Sequence, residues 1–430
     1  MLSIIGLLIG LGLLAFLIMK GYHIIIIAIL CSAIVALTGG LNLYTAITDT
    51  YMAGFVSFFK SYFPVFLVGT IFGKFMEKTG AAASIAHLIV SKLGKGKAVL
   101  AVSLACGILA YGGVSVFVVG FTVYPIAFML FKEANLPRRF IPGTIIFGSI
   151  TFAMTCPGTP QIHNIIPIKF LNTTPMAGTT VGFITAIFML VVGQIWLEKM
   201  IKSSVSSGEK FIPRASDNIS NNDKELPSGL LSFIPLISSI VFLNALNFKV
   251  EVAVLCGNII GFLTLYKHVN WKELSDDLGK ASVSAVGAIA NTCAVVGFGS
   301  VVKSVPAFTI LVDAIVQIPG PVLVGAAVGV CLVAGITGSA SGGMGIAVPL
   351  LAPIYLSRGV APDALHRILA IAAGGLDSLP HNGYVVTTLN GICGESHKDG
   401  YAPVFWLTVV LPIIATGLAI LLFTLFPNWP

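Results

Sequence analysis

The stretch KAVLAVSLACGILAYGGVSVFVVGFTVYPIAFMLFK, residues 97–132, carries the clearest information on the fold. It is almost wholly apolar and too long for one ordinary membrane helix, which needs about 20 residues. Tyr111-Gly112-Gly113 interrupts it near its centre. The stretch PVLVGAAVGVCLVAGITGSASGGMGIAVPLLAPIYL, residues 321–356, is also overlong and broken by glycines. Each stretch therefore predicts a re-entrant hairpin, in which two short helices meet at mid-membrane and return to the side they came from.

The rest of the chain is equally apolar. Of its 430 residues, 56% are hydrophobic and only 10% are charged, whereas a soluble domain has about 25% charged residues. Blocks 2–19, 22–39 and 404–426 each match the hydrocarbon thickness. The first block has no basic leader and no small-residue cleavage site, so we expect a retained helix rather than a signal peptide. The composition predicts an all-α polytopic membrane protein.

Each hairpin is followed by a short helix that runs into a polar, proline-containing break. These broken transmembrane helices cover residues 139–171, with the break TCPGTPQIHN (155–164), and residues 363–393, with the break GGLDSLPHNG (374–383). The only long polar stretch, 203–226, separates the two sets. The order of elements therefore predicts a first transmembrane repeat (1–202), a cytoplasmic linker (203–226) and a second repeat (227–430). In each repeat a one-sided segment (42–60, 271–280) precedes a span (62–79, 282–302).

The distribution of basic residues gives the orientation. If the N-terminus is outside, most of the 24 lysines and arginines fall on the cytoplasmic side, as the positive-inside rule requires. Both termini are then outside, and the two repeats have inverted topology, which is an arrangement of secondary transporters. The net charge of +7 reflects this loop bias, so we expect no nucleic-acid partner.

Irregular backbone at mid-membrane must face protein or a watery cavity, because lipid cannot bond its N–H and C=O groups. A half-helix that begins there presents free N–H groups and a positive dipole end, which bind anions. We therefore expect an anion site between the repeats, formed by the hairpin tips and the two breaks. No lysine or arginine is expected at that depth. His366 is expected near the membrane interface, Arg367 on the outer side, and Glu395 in a solvated loop.

The candidate substrate-binding residues offer hydroxyls, side-chain donors or close backbone approach at the tips and breaks. The alternatives are tight helix packing for the tip 338–343 and turn formation for the asparagines. His163-Asn164 and His381-Asn382 are expected at equivalent positions. The candidates are Ser115, His163, Asn164, Thr337, Ser339, Ser341, Gly342, His381 and Asn382.

Asp377 is the only acid expected near mid-membrane, where charged groups are costly and usually functional. Its alternative role is an N-cap for the following half-helix. His381 lies four residues further on, so the two side chains could share a proton. We therefore expect Asp377 and His381 to couple transport to protons. Backbone carbonyls near Gly335, Ala110 and Gly375 could instead bind sodium.

The motifs GITGSASGGMGIAVP (335–349) and GGLDSLPHNG (374–383) resemble those of the gluconate/proton symporter (GntP-type) permease family. The family belongs to a wider ion transporter superfamily that includes citrate–metal and dicarboxylate carriers. The resemblance implies a bacterial inner-membrane homodimer that imports a small carboxylate, such as gluconate or 3-hydroxybutyrate, by proton symport. It implies no resident cofactor or metal. The motif TCPGTPQIHN and the N-terminal third depart from the gluconate carriers, so a shorter hydroxy or keto acid is an open alternative to gluconate.

Three other functions are alternatives to this one. A sodium-coupled carrier, or a citrate-type carrier of metal-complexed di- or tricarboxylates, remains open because the residues do not fix the coupling ion. A membrane-embedded enzyme is disfavoured because the chain has neither an H-E-x-x-H motif nor a G-x-S-x-G elbow. GKGK at 94–97 lacks P-loop spacing, which disfavours an ATP-driven pump. The sequence therefore predicts a carrier and not an enzyme.

Overall fold

The computed structural model describes residues 2–20, 22–213, 225–316, 318, 320–427 and 429. In this part of the chain all regular structure is helical, with no β-strand. Six helical segments in it are long and apolar enough to cross a membrane. The prediction of an all-α polytopic membrane protein is confirmed. The predicted linker 203–226 falls outside the described residues at 214–224.

The described residues before the linker form nine helices. Two of them contain a π-helical turn, one at Ala46–Tyr51 and the other at Phe147–Thr151. The helices are α1 (Leu2–Met19), α2 (Ile24–Thr38), α3 (Leu43–Lys78), α4 (Ala81–Leu93), α5 (Ala98–Tyr111), α6 (Val116–Glu133), α7 (Ile141–Ile146 with its π-turn), α8 (Ile162–Leu171) and α9 (Thr179–Ser206).

Nine helices follow in the described residues after the linker, and each matches the helix nine places earlier. They are α10 (Gly229–Asn244), α11 (Val250–Thr264), α12 (Leu274–Lys303), α13 (Ala307–Val316), α14 (Leu323–Thr337), α15 (Ala340–Ser357), α16 (Pro362–Ala373), α17 (Gly383–Val386 with the π-turn Thr387–Ile392) and α18 (His397–Leu425, containing the π-turn Trp406–Val410). The helices α5/α6 and α14/α15 are the two hairpins, while α7/α8 and α16/α17 are the two broken helices.

The repeats are inverted, as the positions of two equivalent loops show. The loop after α8 leads directly into the N-terminal end of α9. Its counterpart after α17 contains Glu395, which pairs with Arg138. The neighbouring Arg139 pairs with Glu209, just beyond the C-terminal end of α9. One loop thus lies at the N-terminal end of α9 and its counterpart lies near the C-terminal end. Because α9 has 28 residues and is therefore about 42 Å long, the equivalent loops lie at opposite ends of the molecule.

The expected one-sided segments are not separate from the spans that follow them. Residues 43–78 form one helix, and residues 274–303 form another. The two helices, α3 and α12, run antiparallel, with Lys78 paired to Asp277 at one end (3.0 Å) and Gly54 against Ser300 near the other. Their amphipathic pattern thus reflects helix–helix packing, which the sequence alone does not distinguish from contact with the membrane surface.

The buried apolar residues divide into two main clusters. The larger one contains the hairpins, the broken helices and α18, and it includes Phe131, Phe147 and Leu369. The smaller one joins α1, α2, the start of α3 and the end of α12, around Ile27 and Phe298. The candidate residues all lie on the helices and breaks of the larger cluster.

Candidate functional site

The tip of the second hairpin is a short, polar turn between α14 and α15. Gly338 adopts a left-handed conformation (φ +60°) and Thr337 is buried, with its Oγ1 donating to the carbonyl of Ser339 (3.0 Å). Ser339 is the N-cap of α15 and accepts from the backbone N–H of Gly342 (3.2 Å). The Oγ of Ser341 lies 3.2 Å from the Oγ of Ser339. Two hydroxyls therefore stand at the N-terminus of a half-helix.

The break between α16 and α17 is bonded to this tip. His381 Nε2 lies 3.1 Å from the carbonyl oxygen of Gly335, within hydrogen-bonding distance. Asn382 donates from Nδ2 to the carbonyl of Gly338 (3.1 Å), and its Oδ1 caps α17 by accepting from Val385 N (2.9 Å). Asn382 is thus the N-cap of α17. Capping of this helix is the alternative role given to Asp377 in the sequence analysis, and Asp377 does not fill it. The N-termini of α15 and α17 consequently meet at one place.

The first repeat builds a similar junction with other residues. Gln161, at the start of α8, donates from Nε2 to the carbonyl of Ala110 near the end of α5 (2.6 Å). This contact corresponds to the one between His381 and the carbonyl of Gly335 in the second repeat. Thr159 Oγ1 donates to Tyr111 O (2.9 Å), and the Tyr111 hydroxyl donates to Pro157 O (3.0 Å). Ser115 is the half-buried N-cap of α6 without a side-chain cap bond. Sequence reasoning missed Gln161, although it lies in the break that was singled out.

The His-Asn pairs do not occupy equivalent positions. His381 precedes α17, whereas His163 is already inside α8. His163 is 5% exposed, and its Nδ1 has no hydrogen-bond partner among the described residues. Asn164 is fully buried and donates from Nδ2 to the carbonyl of Cys156 (2.7 Å). Asn164 therefore holds the first break together, much as Asn382 holds the second.

Arg367, expected on the outer side, is fully buried and clamps the first break from the second repeat. Its Nη1 donates to the carbonyl of Thr155 (2.6 Å) and to Oδ1 of Asn164 (2.7 Å). Its Nε and Nη2 donate to the carbonyl of Ala177, and Nη2 also reaches Pro175. All five N–H groups thus have acceptors. The expectation that no lysine or arginine lies at the depth of the breaks is wrong for Arg367.

A second arginine makes the opposite connection, from the first repeat to the second. Arg138, just before α7, pairs with Glu395 (2.7 Å) and donates to the carbonyl of Cys393 (3.1 Å). Glu395 is 2% exposed, so it is not the solvated loop charge that was expected. His366 is also buried, with Nδ1 2.7 Å from the hydroxyl of Thr173. Each broken helix is therefore bonded to the loop that follows the other.

Asp377 faces away from the hairpin tip. Its Oδ1 accepts from the hydroxyl of Ser378 (2.8 Å), and no hydrogen bond joins it to His381 within the described residues. In this part of the chain it also has no ion-pair partner. It lines a cavity of about 10 Å³, close to the smallest volume that holds a water molecule. The other polar side chains of this cavity are Thr151, Thr155, Ser378 and Thr408.

The two repeats also meet through Tyr384 at the start of α17. Its hydroxyl lies 2.9 Å from Ser149 Oγ in the π-turn of α7, and its ring packs edge-on against Phe117 of α6. The structure thus brings together the candidates of the second repeat, Thr337, Ser339, Ser341, Gly342, His381 and Asn382, whereas Ser115, His163 and Asn164 belong to the junction of the first repeat. No group of three metal-binding side chains occurs among the described residues.

Comparison with known proteins extends these observations. Residues 2–253 match the GntP family of permeases, and residues 146–423 match a family described as Na+/H+ antiporters. The chain is 36% identical to the uncharacterized transporter YxjC of Bacillus subtilis, over 95% of this chain and 96% of the relative. It is 26% identical to an uncharacterized transporter of Haemophilus influenzae, over 75% of each chain.

Two solved structures share the fold. The YdaH transporter of Alcanivorax borkumensis superposes with a TM-score of 0.60 at 16% identity, over 88% of this chain and 89% of that one. MtrF of Neisseria gonorrhoeae, from a class of antimetabolite efflux pumps, superposes with a TM-score of 0.56 at 14% identity, over 94% and 95%. At these identities the likeness concerns the fold alone.

Proposed function

The chain belongs to the GntP permease family and is a polytopic membrane transporter, and we propose that it imports a small organic carboxylate together with protons across the bacterial inner membrane. The substrate class is a gluconate-like sugar acid or a short hydroxy or keto acid such as 3-hydroxybutyrate. Import of an anion against a negative-inside potential is opposed by about 2.3 kcal/mol per charge per 100 mV. Accumulation therefore requires a co-transported cation.

The observation that carries this proposal is the meeting of two half-helix N-termini in the second repeat. Asn382, the cap of α17, is bonded to Gly338, which directly precedes Ser339, the cap of α15. Helix N-termini favour negative charge, and the hydroxyls of Ser339 and Ser341 add donors. This junction suits a carboxylate, and among the described residues it has no lysine or arginine that would hold the anion too tightly for release.

Proton coupling is assigned to Asp377. A buried carboxylate without a basic partner is stable when it is protonated or when it binds a cation. The cavity beside it is bounded by Thr151 and Thr155 of the first repeat and by Thr408 of α18. A change in the packing of the two repeats would change this cavity, so the protonation of Asp377 would be linked to transport.

A sodium-coupled carrier is the second candidate. It is favoured by the match of residues 146–423 to a family described as Na+/H+ antiporters. The same cavity offers hydroxyl and carboxylate oxygens, the ligand type that hard cations prefer. The carbonyls of Ala110 and Gly335, where sodium was expected, instead face Gln161 Nε2 and His381 Nε2. Both candidates therefore place the coupling ion at Asp377 and differ only in the ion.

Counterflow into proteoliposomes tests the proposed function. Purified protein is first screened for thermal stabilisation by gluconate, 3-hydroxybutyrate and citrate, because a ligand of the native state raises the unfolding temperature. Vesicles loaded with the stabilising acid should then take up the labelled acid faster than empty vesicles. A pH gradient should drive its accumulation without sodium. Absence of trans-stimulation for every acid would exclude a carboxylate carrier, and accumulation only with a sodium gradient would select the second candidate.

A further inference from the structure

A cleft of about 320 Å³ opens at the end of the molecule where α8 finishes and α11 begins. One wall consists of α8 and the loop at 173–175, and the other consists of the middle of α3 and the turn between α10 and α11. Its volume lies at the lower end of the range for small-molecule sites, about 300–1,000 Å³. The sequence places Lys169 and Lys249, one from each wall, on the outer side of the membrane.

The charges of this cleft favour an anion. Lys169 and Lys249 are both exposed and both line it. The Nζ of Lys169 reaches across to the hydroxyl of Ser61 (2.5 Å), and Lys249 has no ion-pair partner among the described residues. Glu251 is the single acid among the described residues of the lining. The cleft thus carries one net positive charge, and neutral polar groups such as Thr173, Thr174 and Asn247 provide further hydrogen-bonding capacity.

The inner wall of the cleft is connected to the first break. Thr173 is hydrogen-bonded to His366, and Pro175 accepts from Arg367. The carbonyl of Pro175 also accepts from the backbone N–H of Gly158 in the break (3.0 Å). The loop that lines the cleft is therefore part of the same bonded unit as the first break, so a ligand in the cleft lies one loop away from that break.

We propose that this cleft is an outer binding site for carboxylate anions, where Lys169 and Lys249 bind the anion before it reaches the junction between the repeats. Like charges lining a cleft raise the local concentration of a counter-ion and its association rate. The identity of the anion as the transported substrate rests on the proposed function, whereas the attraction of anions by the cleft does not.

The first test measures this attraction without transport. A single cysteine at Asn247, exposed in the lining, is labelled with an anionic sulfonatoethyl or a cationic trimethylammonioethyl methanethiosulfonate, each normalised to its rate with a free thiol. We expect the anionic reagent to be favoured, and the preference to fall roughly tenfold in Lys169→Gln/Lys249→Gln. It should also fade at about 1 M salt, where the Debye length is about 3 Å. Lys303→Gln, an exposed lysine that does not line the cleft, is the matched control.

The second test uses transport. With a carboxylate that counterflow has identified, the double variant should raise KM several-fold at low salt and leave kcat unchanged. Lys303→Gln, which removes an exposed lysine outside the cleft, should behave like the wild type. An unchanged labelling preference in the double variant would overturn the anion site, whatever the protein transports. Altered labelling with no carboxylate transport would leave the cleft assignment standing and exclude the proposed function.

Discussion

Arg367 of the second repeat donates from Nη1 to Oδ1 of Asn164 in the first repeat, at 2.7 Å. The two residues are buried in the same place, although one comes from the helix before a break and the other from the helix after the opposite break. The same guanidinium binds three backbone carbonyls of the first repeat. One side chain, that of Arg367, therefore largely fixes the position of the first break relative to the helix that leads into the second.

The first prediction concerns this clamp. Arg367→Gln should lower the free energy of unfolding by about 3 kcal/mol or more, because hydrogen bonds to a charged group contribute about 1.5–3 kcal/mol each and their loss strands buried carbonyls. Thermal unfolding of purified protein measures the effect. Lys303→Gln, at an exposed position at the end of α12, is the control and should change stability little. In a double-mutant cycle Arg367→Gln and Asn164→Ala should be non-additive, and additive effects would contradict a direct contact.

Arg367 shows why the sequence predicts the fold better than the site. Hairpins and breaks can be predicted from the local sequence, because the hairpins are too long and apolar for one helix and the breaks contain glycine and proline. Arg367 lies in a short amphipathic helix that begins with Pro362 and Asp363, a pattern also typical of a helix at the membrane surface. Its partners at 155, 164, 175 and 177 are about two hundred residues earlier in the chain, and only the tertiary fold brings them together.

The equivalence of His163 and His381 was wrong for a similar reason. It rested on the order of elements and on a shared His-Asn pair, but the helix after the first break begins with Ile162 whereas the one after the second begins with Gly383. The shift places Gln161, not His163, against its hairpin. Two different polar side chains reach the same carbonyl position, so residue type was a poor guide to structural equivalence.

The second prediction concerns the fit of His381 against the hairpin. A β-carbon at Gly338 would lie 2.5 Å from His381 Cδ2, and the φ of +60° disfavours any side chain there. Gly338→Ala should therefore displace His381 and cost about 1–2 kcal/mol from backbone strain alone. Gly383→Ala, where the added methyl meets no atom within 4 Å, should be tolerated. Equal unfolding temperatures and equal ligand affinities for the two variants would count against the described junction.

The third prediction concerns the substrate. Ser341→Ala should weaken binding by about 0.5–1.5 kcal/mol, the usual net value of one hydrogen bond, while Ser341→Leu should abolish it by filling the junction. Isothermal titration with the acid found in the thermal screen measures both. Ser357→Leu, at the exposed opposite end of α15, controls for general damage to the helix. Full transport by Ser341→Leu would place the substrate elsewhere.

The fourth prediction concerns orientation in the membrane. Asn42 and Asn270 occupy equivalent loops, before α3 and before α12, and both are exposed. Their side chains make similar bonds, each accepting from a nearby backbone N–H. Inverted repeats with the N-terminus outside put Asn42 outside and Asn270 in the cytoplasm. Single cysteines at these positions, labelled in intact cells with an impermeant maleimide, should react at 42 and not at 270. Reaction at both positions would rule out this orientation.

The last prediction concerns coupling. Asp377 is the buried acid of the cavity between the repeats, and its carboxylate has no basic partner among the described residues. Asp377→Asn keeps the shape and the capacity to bond Ser378 but cannot gain or lose a proton. A pH gradient should then no longer drive accumulation, while exchange of internal for external acid, which needs no net proton movement, should persist in part. Asp363→Asn, exposed in the first turn of α16, should retain pH-driven uptake. If Asp377→Asn still accumulates the acid when only the pH differs across the membrane, the proton is carried by another group, and the cavity beside Asp377 has no role in coupling.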